Sequence, residues 1–230
     1  MPPSRSSPPY NSVYDADPAR YQALRSCWLN QRRGCFVETW LRQQPAGPVL
    51  ELGSGTGMLL NRLAAAVPDR EFCGLDPLDS YVRFAAEKSC VRNVAYIRGV
   101  AEEAQQCLPR NDFGVVLSND VLHHCVDLFR VAEQVSLVSR PDAQWLLIEP
   151  NCLNLYSFCR QLFMPGESVF WPRRFLRAAG RAGWGLRKKG HLFLVPPFVG
   201  NPPEWAQGVE RRIEWVPVLG GGIWMHLAKG

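Results

Sequence analysis

Short apolar strands alternating with helical segments predict an α/β fold, a parallel sheet with helices on both faces. Three observations carry that prediction. Strand and helix patterns alternate five times between Val49 and Ile148. The first strand runs into a glycine cluster that opens a helix, and the second ends on an acid, Asp76. The 230 residues are 47% hydrophobic and 20% charged, which fits one large globular domain or two small ones. This composition excludes a disordered chain, a collagen-like repeat and an acidic tail.

Residues 1–9 are rich in Pro and Ser and read as a loose tail. Asp17 before Pro18 is an N-cap with proline at the first helical position. Tyr21, Leu24, Trp28, Phe36, Trp40 and Leu41 follow at helical spacing, interrupted by Arg32, Arg33 and Gly34, so one helix with a break at that interruption is expected. Residues 49–52 form a strand, Gly53-Ser54-Gly55-Thr56-Gly57 a turn, and 58–67 a helix. A strand at 72–75 ends on Asp76, followed by a helix near 81–88, a strand at 94–98, a polar turn and a strand at 113–118. A helix near 128–138 leads to a strand at 145–148 that ends in Glu149-Pro150-Asn151. Beyond it, 153–163 is helical and aromatic, and 173–182 is a basic helix closed by Gly183. Strands are expected at 186–195 and 222–228, with the proline pairs at 196–197 and 202–203 in a loop. No linker separates a second domain, so residues 18–230 read as one domain behind segment 1–17.

No apolar stretch approaches the ~18 residues of a membrane span, and the first thirty residues lack a basic head followed by an apolar run. A cytoplasmic protein is expected. Eight cysteines are scattered singly, without CxxC and without a Cys/His cluster at metal-ligand spacing, so reduced thiols and no metal are expected. Lys and Arg (26) exceed Asp and Glu (21) by five, which permits an anionic partner but lacks the weight of a nucleic-acid coat.

A buried strand, GxGxG and a helix put residues without side chains where the backbone turns sharply and a ligand approaches closely. The dinucleotide fingerprint wants its third glycine at Met58 rather than Gly57, which counts against a nicotinamide or flavin. Asp76 lies 19 residues beyond Gly57, about the interval at which doubly wound nucleotide sites place a carboxylate for ribose hydroxyls. Glu51 is a second acid, facing the same crevice or its back wall, or else a partner of loop amides.

Four segments, Val49 through Gly57, then Asp76, then Gly99-Val100-Ala101-Glu102-Glu103, then Ser118-Asn119-Asp120-Val121-Leu122-His123-His124, resemble the successive motifs of class I S-adenosylmethionine-dependent methyltransferases. The resemblance spans roughly residues 45 to 150. It implies a Rossmann-like, doubly wound, seven-stranded and mainly parallel sheet with an antiparallel last strand, and S-adenosyl-L-methionine as cofactor. It further implies that Glu51, Gly53, Ser54, Gly55 and Gly57 belong to the cofactor site, with the glycine loop at the methionine part, and that Asp76 holds the ribose. Pro77 and Leu78 would lie near the adenine, Ala101 and Glu102 at its polar edge, and Ser118 and Asn119 at the methionine end. Two departures stand out. Val100 replaces a frequent Asp, shifting adenine recognition to Glu102 or to backbone groups, and Pro141-Asp142-Ala143 replaces a Pro-Gly-Gly turn, altering a surface turn.

Methyl transfer from a sulfonium needs alignment and exclusion of water, and a hydroxyl or ammonium acceptor must also lose a proton. His123 and His124 follow the fourth strand and are either bases or capping and packing groups. Glu149 and Asn151 end the fifth strand and either orient an acceptor or shape a turn. Tyr10 and Tyr14 lie in a segment that in many relatives acts as a lid, and either belong to such a lid or simply anchor the segment. Residues 153–185 would form the acceptor side. There Tyr156, Phe158, Phe163, Phe170, Trp171 and Phe175 divide between an acceptor pocket and core. Residues 171–190 hold seven Lys or Arg and no acid. Arg173, Arg177 and Arg181 share one helical face, a peripheral contact for an anionic group or surface, or simply a solvated face.

Relatives that methylate base or glutamine amines carry Asn/Asp-Pro-Pro-aromatic after the fourth strand, where this chain has Ser118-Asn119-Asp120-Val121. Asn201-Pro202-Pro203-Glu204 lies far downstream. No nucleic-acid partner is expected. The leading expectation is a methyltransferase acting on oxygen, ahead of nitrogen or carbon, of a small or lipid-like acceptor. The alternatives are a non-catalytic cofactor-binding or scaffold protein and, third, a nicotinamide-dependent oxidoreductase.

Overall fold

Residues 17–164, 167–196 and 199–230 are described by a computed structural model. The proposed lid, with Tyr10 and Tyr14, lies outside the described residues. Asp17 caps helix α1 (Pro18–Arg25) by accepting the amides of Ala19 and Arg20, both at 3.0 Å. Then follow α2 (Trp28–Leu41), β1 (Val49–Leu52), α3 (Met58–Ala66), β2 (Phe72–Asp76), α4 (Asp79–Lys88), β3 (Val94–Arg98) and the short α5 (Ala104–Cys107). After them come β4 (Phe113–Asn119), α6 (Leu128–Leu137), β5 (Ser139–Pro150), α7 (Leu155–Phe163), α8 (Pro172–Arg181), β6 (Trp184–Leu192), α9 (Glu204–Ile213) and β7 (Gly222–Lys229).

The strands form one sheet in the order β3-β2-β1-β4-β5-β7-β6. All neighbours are parallel except β7, which runs antiparallel to both β5 and β6. This is the seven-stranded, mainly parallel sheet that the motifs imply. The buried runs of β1, β2 and β4 reflect helices on both faces. One core cluster gathers Leu50, Phe113, Val131, Trp145 and Phe175, the other Val37, Leu41, Leu60, Leu117 and Leu146. Strand order reverses between β1 and β4, where Leu52 is level with both Leu75 and Ser118. A crevice therefore opens beyond the carboxyl ends of these strands.

Four expectations need correction. The N-terminal helix breaks at Ser26 and Cys27 rather than at Arg32 to Gly34. Arg32 and Arg33 stay helical because each meets an acid across the fold: Arg32 binds Glu214 at 2.5 and 2.8 Å, and Arg33 binds Asp120 at 2.7 Å. Pro141-Asp142-Ala143 is not a separate turn but lies inside β5, where the ladder to β4 shifts register and Ala143 is buried. Strand β6 ends at Leu192, before Phe193 at φ 64°. Helix α9 follows the second proline pair, where only a loop was expected. Its Glu210 is fixed by Trp28 Nε1 at 2.6 Å and by the amides of Leu194 and Val195 at 2.9 and 3.0 Å.

Candidate functional site

A cavity of about 510 Å3 opens above the switch point, within the range of small-molecule sites. Its floor is the turn after β1, where Gly53, Gly55 and Gly57 all have positive φ. A Cβ on Gly53 would lie 2.6 Å from Val121 Cγ2, so both backbone conformation and close packing require glycine there. Asp76 fixes this turn: its Oδ2 accepts the Gly55 amide at 2.8 Å, and its Oδ1 accepts the Leu78 amide at 3.0 Å.

Of the residues singled out by the motifs, Glu51, Gly53, Ser54, Gly55, Asp76, Pro77, Leu78, Asn119 and His124 line the cavity. Others stand elsewhere. Gly57 lies outside the lining, with its carbonyl 3.4 Å from the Tyr96 hydroxyl. Ser118 points to the core, accepting from Trp145 Nε1 at 3.0 Å, because alternate residues of a strand face opposite sides. Ala101 is buried in the core, and Glu102 accepts the Val126 amide at 3.1 Å. Asn151 caps a turn through the carbonyls of Pro217 and Gly220.

Glu149, read as either orienting an acceptor or shaping a turn, has no exposure at all. It accepts the amides of Val121 and Leu122 at 3.0 and 2.8 Å and lies 2.7 Å from His123 Nδ1. It therefore pins the turn that carries the histidine pair. His123 is buried behind the cavity wall, its ring 4.0 Å from that of His124, and its Nε2 has no hydrogen-bond partner. Burial disfavours the His123 imidazolium, but the Glu149 hydrogen bond and charge, with Asp120 and Glu167, outweigh it and raise the pKa.

Burial pushes Glu51 up to about 8; Asp76 adds to the rise, while a 3.5 Å hydrogen bond from Asn119 and the charge of Arg33 oppose it. Its Oε2 is buried without a partner. Asp76 is pushed up to about 6 by burial against its two amide hydrogen bonds. Asp120 behaves oppositely. Despite burial, Arg33 at 2.7 Å and Arg25 at 3.4 Å hold it well below the usual carboxylate range. It is also a non-glycine residue at φ 52°, a conformation Asp tolerates better than most.

Sequence reasoning missed the roof. Tyr21, Arg25, Asn30 and Arg33 of α1 and α2 line the cavity, as do Asp120 and Tyr81. The signal was the pair Arg32-Arg33 inside an apolar stripe. None of the six aromatics of the 153–176 region lines this cavity: Phe170 and Phe175 are core, while Tyr156, Phe163 and Trp171 are exposed. Arg173, Arg177 and Arg181 are exposed on α8. Among the described residues no helix is long and apolar enough to cross a membrane.

Residues 50–144 match the profile of a methyltransferase domain. The chain is 27% identical over 176 residues to the nonribosomal peptide synthetase TES of Alternaria alternata, a match covering 70% of this chain but 3% of that protein's length. Among solved structures, a SAM dependent methyltransferase from Archaeoglobus fulgidus superposes with a TM-score of 0.62 at 18% identity, over 86% of this chain and 94% of that one. A SAM dependent methyltransferase from Aquifex aeolicus gives 0.65 at 16% identity, over 93% and 99%.

Proposed function

We propose, since the chain carries a class I S-adenosylmethionine-dependent methyltransferase domain, that it is an enzyme transferring a methyl group to oxygen, ahead of nitrogen or carbon, of a small or lipid-like acceptor. The observation that carries this is the cavity at the switch point, whose buried polar groups fit the cofactor. Glu51 Oε2 and Arg33 Nε have no partners there, and buried polar groups without partners are rare unless a ligand supplies them. Glu51 would take the ammonium of the methionine part, Arg33 its carboxylate, and Asp76 the ribose hydroxyls through lone pairs left over from the Gly55 and Leu78 amides. The cofactor supplies an electrophilic methyl on a sulfonium whose sulfur keeps the bonding pair.

What remains for the protein is positioning and dryness. Roof helices α1 and α2 close the cavity, and the Arg25–Asp120–Arg33 cluster ties that roof to the end of β4. The acceptor must lose a proton, and the imidazole of His124 stands at this wall with that of His123 stacked behind it. A lipid-like acceptor is supported by α7, which is inverted: Ser157 and Gln161 face the protein while Leu155 and Phe163 are 76% and 77% exposed. Such a face binds apolar partners. The basic face of Arg173, Arg177 and Arg181 would meet an anionic headgroup, and a cytoplasmic location belongs to the same reading.

The test is an acceptor screen with the purified chain and methyl-labelled cofactor, including lipid extracts. Label in an extractable product is expected. Calorimetric binding of the cofactor with no transfer to any acceptor would instead favour a non-catalytic binding protein.

A further inference from the structure

The histidine pair has a third neighbour that sequence spacing conceals. The chain returns after α7 and packs on the turn after β4, with the Ser168 amide and hydroxyl donating to the His123 carbonyl at 3.1 and 2.5 Å. This return brings Glu167 to the pair. One ligand atom from each of His123, His124 and Glu167 lies within 4.8 Å of the others.

Three features distinguish this cluster from an accidental one. His123 is buried and its Nε2 has no hydrogen-bond partner. Its Nδ1 lies 2.7 Å from the buried Glu149 carboxylate; with the ring neutral and its proton on Nδ1, that N–H donates to Glu149 and Nε2 keeps a lone pair for a ligand. A carboxylate behind the distal nitrogen is the usual second partner of a metal-bound histidine. Arg160 Nη2 fixes the Glu167 carboxylate through Oε1 at 2.7 Å, and the Glu167 side chain has no exposure. His124 lines the large cavity, which places one member of the cluster beside the space where an acceptor would enter.

We propose that His123 Nε2, His124 and Glu167 bind one divalent transition-metal ion of the zinc class, leaving a coordination position open to the cavity. Two imidazoles and one carboxylate suit such an ion, and three protein ligands with an open fourth position are the pattern of catalytic rather than structural sites. Bonds of about 2.0–2.2 Å require the ligand atoms, now within 4.8 Å of one another, to close by roughly 1.5 Å on binding. Use of the ion in turnover rests on the methyl-transfer reading: a hydroxyl on the open position would ionise near neutral pH, its proton passing to bulk water. The oxygen would then attack the methyl carbon as the sulfur–carbon bond breaks with its electron pair on sulfur. Binding of the ion does not rest on that reading.

The test is titration of the metal-stripped chain with Co2+, followed by visible absorption and by metal content after gel filtration. One Co2+ per chain with tetrahedral-type absorption is expected. His124→Ala and Glu167→Gln should each weaken binding at least tenfold, and His226→Gln, at a histidine paired with Gln144, should not. Calorimetric binding of S-adenosylhomocysteine by each variant checks that it is folded. Less than a tenth of an equivalent of Co2+ on the parent chain, or a spectrum unchanged in both Glu167→Gln and His124→Ala, overturns the site. Stoichiometric metal without methyl transfer to any acceptor supports the site and counts against the transfer reading.

Discussion

The floor and the roof of the cavity hold their acids in opposite ways. On the floor, Glu51 and Asp76 are buried with one weak hydrogen bond and two amides respectively, and their carboxyls are pushed up to about 8 and about 6. Under the roof, Asp120 is less enclosed, with 18% of its side chain exposed, and is held far below its usual range by Arg33 and Arg25. The difference separates binding from closure. An acid satisfied by two guanidiniums serves the fold, whereas an acid left with an orphan oxygen awaits a cationic or hydroxylic ligand.

The floor is most directly broken at Asp76. Asp76→Ala removes a carboxylate proposed to accept two hydroxyls, and charge-assisted hydrogen bonds contribute about 1.5–3 kcal/mol each. Affinity for S-adenosylhomocysteine should fall about a thousand-fold by calorimetry; binding within tenfold of the parent would remove Asp76 from the ribose role. The roof is broken at Arg33. Arg33→Ala leaves Asp120 enclosed with Arg25 as its remaining ion-pair partner, and loss of one member of a buried pair destabilises by about 3 kcal/mol. A lower urea midpoint with unchanged slope is expected. Affinity for S-adenosylhomocysteine should fall as well, because Arg33 is also proposed to take the carboxylate of the methionine part; intact stability with lowered affinity would leave Arg33 to the ligand alone.

The contrast also predicts a pH dependence. An acid with an unfolded pKa of 4.5 and a folded one of about 8 is ionised in the unfolded chain and neutral in the native one between those values. The native state then binds the extra proton, so stability falls as pH rises through this window. Glu51→Gln should flatten the decline in denaturation midpoint between roughly pH 4.5 and 8. Pairing with an ammonium requires the ionised form, so cofactor binding near neutral pH should release a proton from Glu51. A calorimetric enthalpy that varies with buffer ionisation in the parent but not in Glu51→Gln is the sharper check.

The floor was legible in the sequence because its parts are local: strand, glycine turn and helix are contiguous, and Asp76 follows at a fixed interval. The roof was not, because it depends on pairs such as Arg33 with Asp120 and Arg32 with Glu214, which are distant in the chain. Arg32 and Arg33 looked like a helix break only because their acids were out of view. The two readings of Glu149 stayed open in the sequence for a related reason. A residue at the end of a strand can project toward a ligand or fold back on the next turn, and the amides of Val121 and Leu122 drew it back. Glu167 gave no signal at all, since only the return of the chain after α7 brings it to the histidines.

The smallest effect on stability is expected on α7. Its buried side consists of Ser157, which donates to the Gly221 carbonyl at 2.8 Å, and Gln161, which accepts the Phe170 amide at 2.8 Å. Its outer side carries Leu155 and Phe163, reversing the usual orientation of an amphipathic helix. Polar contacts therefore hold the helix down, and the outer apolar groups contribute little to folding. Replacing both Leu155 and Phe163 by Ser should change the unfolding free energy by no more than about 0.5 kcal/mol. If the outer face meets a lipid-like acceptor, the same variant should lose activity toward an acceptor presented in vesicles while binding S-adenosylhomocysteine as the parent does. A variant that unfolded early would show instead that this face packs against the protein, and the inverted helix would no longer bear on the acceptor.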